Sequence, residues 1–120
     1  MDMNNWAVIG ATDKKDKFGY KIVKTLKDNG YKVFPVNPNY DKVAGLTCYS
    51  DISQVADEVD VVDFVINPSI GRKAIEDVAE NGLKYVWLQP GARSKEIKEY
   101  AEDHNISVVE SCIYAQLKKN

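Results

Sequence analysis

The sequence predicts an α/β domain of Rossmann-like type, a doubly wound five-stranded parallel sheet with helices on both faces, three layers in all. Three observations predict it. Short apolar runs alternate with helical patterns along the chain, as successive strand-helix-strand units require. Several runs are apolar on consecutive residues, the pattern of strands covered on both faces. The first run enters a glycine turn that feeds a helix start, and no repeat or low-complexity linker breaks the alternation. With 120 residues, 44% of them hydrophobic and 28% charged, the chain is expected to be a single domain over residues 1–120.

The first strand is Trp6 to Ile9, followed by Gly10-Ala11-Thr12 and a loop carrying Lys14, Lys15 and Lys17. Phe18, Ile22, Val23 and Leu26 then recur at helical spacing, with Lys21, Lys24 and Lys27 on the other face and Asn29-Gly30 as the stop. Tyr31 to Val36 is the second strand, and a shorter helix is expected over Ser50 to Ala56. Val61 to Ile66 is the third strand; Asp60 and Asp63 beside it read as turn and edge residues. Ser69 is placed to cap a helix carrying Ile70, Ala74, Ile75, Val78 and Ala79, ended by Gly82. Tyr85 to Leu88 is the fourth strand, Ser94 caps a helix carrying Ile97, Tyr100 and Ala101, and Ile106 to Val109 is the fifth strand.

In such sheets a ligand binds beyond the carboxyl ends of the strands where the winding direction reverses. A strand order of 3-2-1-4-5 puts that point beyond the first and fourth strands. The loops on this edge are Gly10-Ala11-Thr12, Pro35-Val36-Asn37-Pro38, Asn67-Pro68-Ser69 and Gln89-Pro90-Gly91-Ala92. Their glycines and prolines fix backbone shape and permit close approach, although the same residues also make ordinary turns. The glycine turn ahead of a helix N-terminus aims N–H groups and the positive dipole end at one spot, which suits a phosphate. The three loop lysines suit a ligand with phosphate beyond one pyrophosphate, or form a solvated surface cluster; both readings stay open here.

Several classes are excluded by what is missing. The net charge of -2 supplies no global field for nucleic acid or an anionic membrane. No stretch of about 18 apolar residues occurs, and Met1 to Asn5 has no basic segment ahead of an apolar run, so a soluble, cytoplasmic protein is expected. Cys48, Cys112 and the single His104 show neither metal-ligand spacing nor a disulfide framework. The dinucleotide fingerprint is absent: Gly10 is followed by Ala11-Thr12, and no carboxylate follows the second strand until Asp41. The G-x-x-x-x-G-K-[ST] phosphate loop is absent too.

The segments Val8-Ile9-Gly10-Ala11-Thr12, Phe18-Gly19-Tyr20, Gly30 to Pro38, Val59-Asp60-Val61-Val62-Asp63 and Val86-Trp87-Leu88-Gln89-Pro90-Gly91 resemble the stand-alone CoA-binding domain proteins. That family is similar to the N-terminal CoA-binding domain of the succinyl-CoA synthetase alpha subunit, and the resemblance spans nearly the whole chain. It implies that Gly10, Ala11 and Thr12 approach the pyrophosphate, with Lys17 and Gly19 completing the loop. It implies further that Val36, Asn37 and Pro38 border the adenosine end, that Asn67 and Pro68 line the CoA groove, and that Gln89, Pro90 and Gly91 lie towards the pantetheine. The family commonly carries Asp-Arg before the cysteine matched by Cys112; this chain has Glu110-Ser111, so no role for an arginine carries over.

No acid-base pair for catalysis stands out. The synthetases that this domain resembles use a phosphorylated histidine from a second domain, whereas His104 lies at a predicted helix end. Cys112 either packs as a small core residue or faces the CoA thiol. Trp6, Tyr85 and Trp87 read as core, Tyr20 as a cover for the ligand or for the first helix, and Tyr114 to Leu117 as a cover for the sheet edge or a partner contact. The expected function is non-catalytic binding of coenzyme A or acyl-CoA, with a protein partner or homo-oligomer possible. The alternatives are a subunit of an enzyme acting on CoA thioesters and an interaction domain without ligand affinity. Gly10→Val is expected to abolish binding and leave the domain folded.

Overall fold

The structure, a computed structural model, describes residues 3–117; readings that fall on residues 1, 2 and 118–120 lie outside them. Five parallel strands form the sheet: β1 (Asn5–Ile9), β2 (Lys32–Val36), β5 (Val61–Phe64), β6 (Tyr85–Leu88) and β7 (Ser107–Val109). Their crossovers carry α1 (Phe18–Asp28), α2 (Pro68–Glu80) and α3 (Lys95–Asp103), and α4 (Ile113–Leu117) follows the last strand. A two-stranded antiparallel ribbon, β3 (Lys42–Val43) with β4 (Leu46–Thr47), leaves the main sheet after β2.

The strand order is β2-β1-β5-β6-β7, which corrects the 3-2-1-4-5 order expected from the sequence. The chain steps outward from β1 to β2, returns past β1 to β5, and then continues outward. The winding therefore reverses between β1 and β5, so the crevice lies beyond Ile9 and Phe64 rather than beyond β1 and β6.

Side-chain alternation sends each strand into two cores. Trp6 and Val8 join Ile22, Val23, Leu26, Val61 and Ile113 beneath α1 and α4. Ala7, Val62, Phe64, Val86 and Leu88 join Ile75, Val78, Ile97 and Ala101 beneath α2 and α3. Each fully buried Val, Ile, Leu or Phe contributes about 2 kcal/mol, so the loops at the carboxyl edge are mounted on a rigid support. Trp6 is buried and meets Trp87 edge-on, with ring centroids 5.4 Å apart.

Helix ends follow local chemistry. Asn29 caps α1 and Gly30 follows with φ +89. The cap of α2 is Asn67, whose side-chain oxygen accepts from Ile70 N, with Pro68 in the first turn; the expected Ser69 cap sits inside the helix because Asn-Pro satisfies the cap and first-turn preferences first. Ser94 caps α3 as expected. The Ser50 to Ala56 stretch yields only a 3-10 turn, Ile52–Gln54, in which Asp51 and Gln54 form a reciprocal capping box.

Candidate ligand groove at the sheet switch point

The carboxyl edge holds two clefts that meet at Ile66, which lines both. One, of about 340 Å³, lies on the α1 side and is walled by Phe18, Ile22, Val65 and Cys112, with Asn67, Gln89, Pro90 and Gly91 across from them. The other, of about 510 Å³, lies on the α2 side. Its walls include Ile9, Gly10, Val36, Asn37, Pro38 and Ile70, with Ser50, Asp51, Lys73 and Asp77 supplying polar groups. Both fall in the size range of small-molecule pockets and straddle the winding reversal.

The sequence-predicted residues divide between these clefts. Gly10, Val36, Asn37 and Pro38 come together in the α2 cleft, and Asn67, Gln89, Pro90 and Gly91 in the α1 cleft. Ala11, Thr12, Lys17, Gly19 and Pro68 line neither. Ala11 and Gly19 are buried beneath the loop, while Lys14, Lys15 and Lys17 are exposed above it. Lys17 is the N-cap of α1 and makes no side-chain cap bond.

Gly10 has φ +97, and a methyl group there would strike the carbonyl oxygen of Val65. A methyl at Gly19 would strike the carbonyl oxygen of Gly10 and crowd Thr12. These two glycines therefore let β1, the loop after β5 and the start of α1 pack backbone to backbone. The expectation that Gly10→Val leaves the domain folded is corrected on this ground. Gly91 differs: its φ is +91, and a methyl there meets open space at the wall of the α1 cleft.

Loop hydrogen bonds preset the α2 cleft. Asn37 Nδ2 donates to Ala11 O at 2.7 Å, Asn37 Oδ1 accepts from Asn39 N at 2.9 Å, and Asn37 N donates to Tyr49 O at 2.8 Å. Thr12 Oγ1 donates to Tyr40 Oη at 2.8 Å and accepts from Lys14 N at 3.2 Å. Asp51 accepts from Ser53 N at 2.8 Å, and that hydrogen bond holds its carboxyl below the usual range. Lys73 pairs with Asp77 at 2.8 Å.

Beside the α1 cleft the predicted site residue Gln89 is paired with Asp63, a pairing the sequence does not show. Asp63 is fully buried on β5 and accepts from Gln89 Nε2 at 2.6 Å. Burial pushes its carboxyl up to about 7, against the opposing pull of the Gln89 hydrogen bond. Asp63 Oδ2 and Gln89 Oε1 are both buried without a partner. Asp63 is thus neither an edge nor a turn residue; the available signal was a carboxylate inside the apolar run Val61-Val62-Asp63-Phe64 of a central strand.

Other candidates settle plainly. Cys112 is half-buried on the α1 cleft wall. Cys48 is buried, and burial pushes its thiol up. His104 caps α3, stacks on Tyr100 at 4.0 Å and holds Nδ1 2.8 Å from Tyr100 O, remote from both clefts. The 114–117 segment forms most of α4 and packs on α1, where Tyr114 meets Phe18 edge-on. No described helix is long and apolar enough to cross a membrane.

The winding, the paired clefts and the glycine turn define a doubly wound α/β domain with two clefts at the switch point. A CoA binding domain model matches residues 4–118, and the chain belongs to that family. An ADP-forming acetate-CoA ligase of Methanocaldococcus jannaschii is 32% identical over 111 residues, which are 86% of this chain and 16% of the ligase. The alpha subunit of ADP-forming acetate-CoA ligase II of Pyrococcus furiosus is 30% identical over 114 residues, 86% of this chain and 25% of that subunit. The chain thus spans between about a sixth and a quarter of these relatives. A solved conserved hypothetical protein from Pyrococcus furiosus has 37% identity and a TM-score of 0.89, covering 94% of this chain and 98% of its own.

The two clefts supply the shape and the polar groups against which a coenzyme A-type ligand can be tested. The two clefts share the wall residue Ile66, the α2 cleft with polar side chains in its lining and the α1 cleft mostly apolar, with Gln89 among its lining residues. Such a ligand carries a phosphorylated nucleotide at one end and, at the other, a narrow arm of methylene segments interrupted by amide groups.

Proposed function

We propose that this chain, as a single domain, binds coenzyme A or acyl-CoA without performing chemistry on it. The observation that carries the reading is the pair of clefts meeting at Ile66 across the β1/β5 reversal. In this reading the adenosine lies against Val36, Asn37 and Pro38 in the α2 cleft. The pyrophosphate passes Gly10, Ala11 and Thr12, where Lys17 and Gly19 begin α1 and the helix dipole favours anions. The pantetheine runs by Asn67 and Pro68 into the α1 cleft, towards Gln89, Pro90 and Gly91. The exposed loop lysines, and Lys73 on the α2 side, supply cations for phosphate groups.

The test is calorimetric titration with CoA, dephospho-CoA, acetyl-CoA and NAD at two salt concentrations. The reading predicts saturable CoA binding that weakens on raising salt, on removing the 3′-phosphate and in Lys14→Gln/Lys17→Gln, with NAD far weaker. Absence of saturable CoA binding by a folded sample would instead support an interaction domain.

A second reading has its own observation: the aligned ligases are four to six times longer than the matched segment. The domain would then present a CoA thioester to catalytic residues on another chain. Phe18, in the lining of the α1 cleft, and Ile70, in that of the α2 cleft, are each 55% exposed and offer apolar surface to such a chain. Co-purification with a CoA-dependent ligase subunit, and gain of turnover on mixing, would decide for this reading.

A further inference from the structure

The α1 cleft is apolar except at a few side chains, and Gln89 is unusual among them. It is 3% exposed, it lines the cleft, and one end of its amide is committed while the other has no partner. The committed end is Nε2, which donates to Asp63 Oδ1 at 2.6 Å. A primary amide can satisfy a carboxyl group in two ways. It donates N–H to a carboxylate, or, turned by half a rotation, accepts O–H from a protonated carboxyl. Each choice leaves the opposite end of the amide without a protein partner, on a residue that lines the cleft.

We propose that Asp63 and Gln89 form a proton-set selector at the floor of the α1 cleft. With Asp63 ionised, Gln89 offers its amide oxygen to the bound molecule; with Asp63 protonated, Gln89 turns and offers N–H. A thioester carbonyl, which can only accept, gains a hydrogen bond in the second state, whereas a free thiol gains little from either. Acyl-CoA is therefore preferred over CoA when Asp63 carries its proton, which it takes from solvent and returns to solvent. The inference deepens the CoA reading and rests on it.

The surroundings allow this titration. Register neighbours of Asp63 are Val8 on β1 and Trp87 on β6. The cluster on this face brings Ile22, Val23 and Leu26 from α1, Tyr85 and Trp87 from β6, and Ile113, Tyr114 and Leu117 from α4. Cys112 stands on the cleft wall. The ionisable groups that the described residues bring to this face are the phenols of Tyr20, Tyr31, Tyr40, Tyr85 and Tyr114 and the thiols of Cys48 and Cys112. Among the described residues no cation sets the titration of Asp63, which burial and the Gln89 hydrogen bond govern, and Lys21 and Lys24 of α1 are on the exposed side. Its carboxyl is held up at about 7 by burial, so both states are populated near neutral pH.

The experiment compares acetyl-CoA and CoA affinities for the whole chain by calorimetry between about pH 5.5 and pH 7.5, below the range where an ordinary thiol ionises. Phosphate titration is common to both ligands and cancels in the ratio. The acetyl-CoA to CoA affinity ratio is expected to rise about threefold or more as pH falls, the effect of one gained hydrogen bond. Asp63→Asn, whose side-chain N–H mimics the protonated carboxyl, should hold the ratio at its low-pH value throughout. If that variant fails to fold, Gln89→Met takes its place and should flatten the ratio by removing both amide ends. A ratio for the unaltered protein that is flat to within about 1.5-fold while both ligands bind overturns the inference alone. A pH-dependent ratio surviving in either variant also overturns it. Failure of both ligands to bind at any pH defeats the CoA reading and this inference together.

Discussion

The two clefts share the wall residue Ile66 yet treat their polar groups in opposite ways. In the α2 cleft the principal polar side chains are bonded within the protein: Asn37 to Ala11 and Asn39, Asp51 to Ser53, Lys73 to Asp77. In the α1 cleft the polar floor is incomplete, with Asp63 Oδ2 and Gln89 Oε1 buried and unpartnered. A satisfied rim holds its shape before a ligand arrives, whereas an unsatisfied floor stores a cost that a ligand or a proton relieves. The α2 cleft is built for shape, the α1 cleft for response.

The largest expected effect breaks the frame common to both. Gly10→Val combines a positive φ with a clash against the Val65 carbonyl, and should cost about 5 kcal/mol, most of the stability of an ordinary domain. Urea denaturation showing a native-like midpoint would refute the packing role given to Gly10.

Asp63 gives the next largest effect, and its sign is fixed by the direction of its shift. Its folded value is raised from 3.8 to about 7 by burial, so above about pH 4 the unfolded chain releases a proton that the folded one keeps. Stability contributed by the neutral carboxyl is therefore full below about pH 4 and declines to about pH 7, by up to about 4 kcal/mol, then levels off. Denaturation midpoints measured across this range should show the slope, and Asp63→Asn should remove it. An equal slope in that variant would assign the effect to other groups.

A smaller effect sharpens the contrast between the clefts. Asn37→Ala removes the tie to Ala11 and should cost about 1.5 kcal/mol at every pH, a loss that urea midpoints at pH 5 and 8 would show equally. A loss confined to one pH would mean that the α2 rim also titrates. The smallest effect is on an exposed ion pair: Lys73→Met should leave the denaturation midpoint unchanged and weaken CoA binding a few-fold. Unchanged affinity would remove Lys73 from the phosphate end.

Much of this fold was legible because the apolar runs and helical periods are local. The runs at Trp6 to Ile9 and Tyr85 to Leu88 became β1 and β6 with little change, and Asn29-Gly30 ended α1. Strand order was not legible, since the β2-β1-β5 arrangement depends on which way a crossover returns and no residue pattern encodes that. The β3-β4 ribbon escaped because its turn residues, Ala44 with φ +52 and Gly45 with φ +79, are not the Asn-Gly pair that usually marks such a turn. α4 is only five residues long, too short for a periodic signal.

The site was legible as loops on one edge, but not as two clefts. The sequence leads one to expect Gly10 and Gly19 to approach a ligand, while the structure gives them close backbone contacts with Val65 and with each other. By its charge Asp63 reads as an edge or turn residue; its hydrogen-bond partner, Gln89, lies 26 residues away, just past the end of the neighbouring strand β6. Long-range pairing of that kind becomes visible only once the register of β5 and β6 is known.

The most direct measurement of the central claim is calorimetric titration of the folded protein with CoA and with dephospho-CoA under matched salt. The account predicts saturable, one-to-one CoA binding, and measurably weaker binding when the 3′-phosphate is missing. A folded protein that takes up no CoA, or that binds the two ligands equally and without salt dependence, would contradict the assignment of the lysine loop and the α2 rim to a phosphorylated nucleotide.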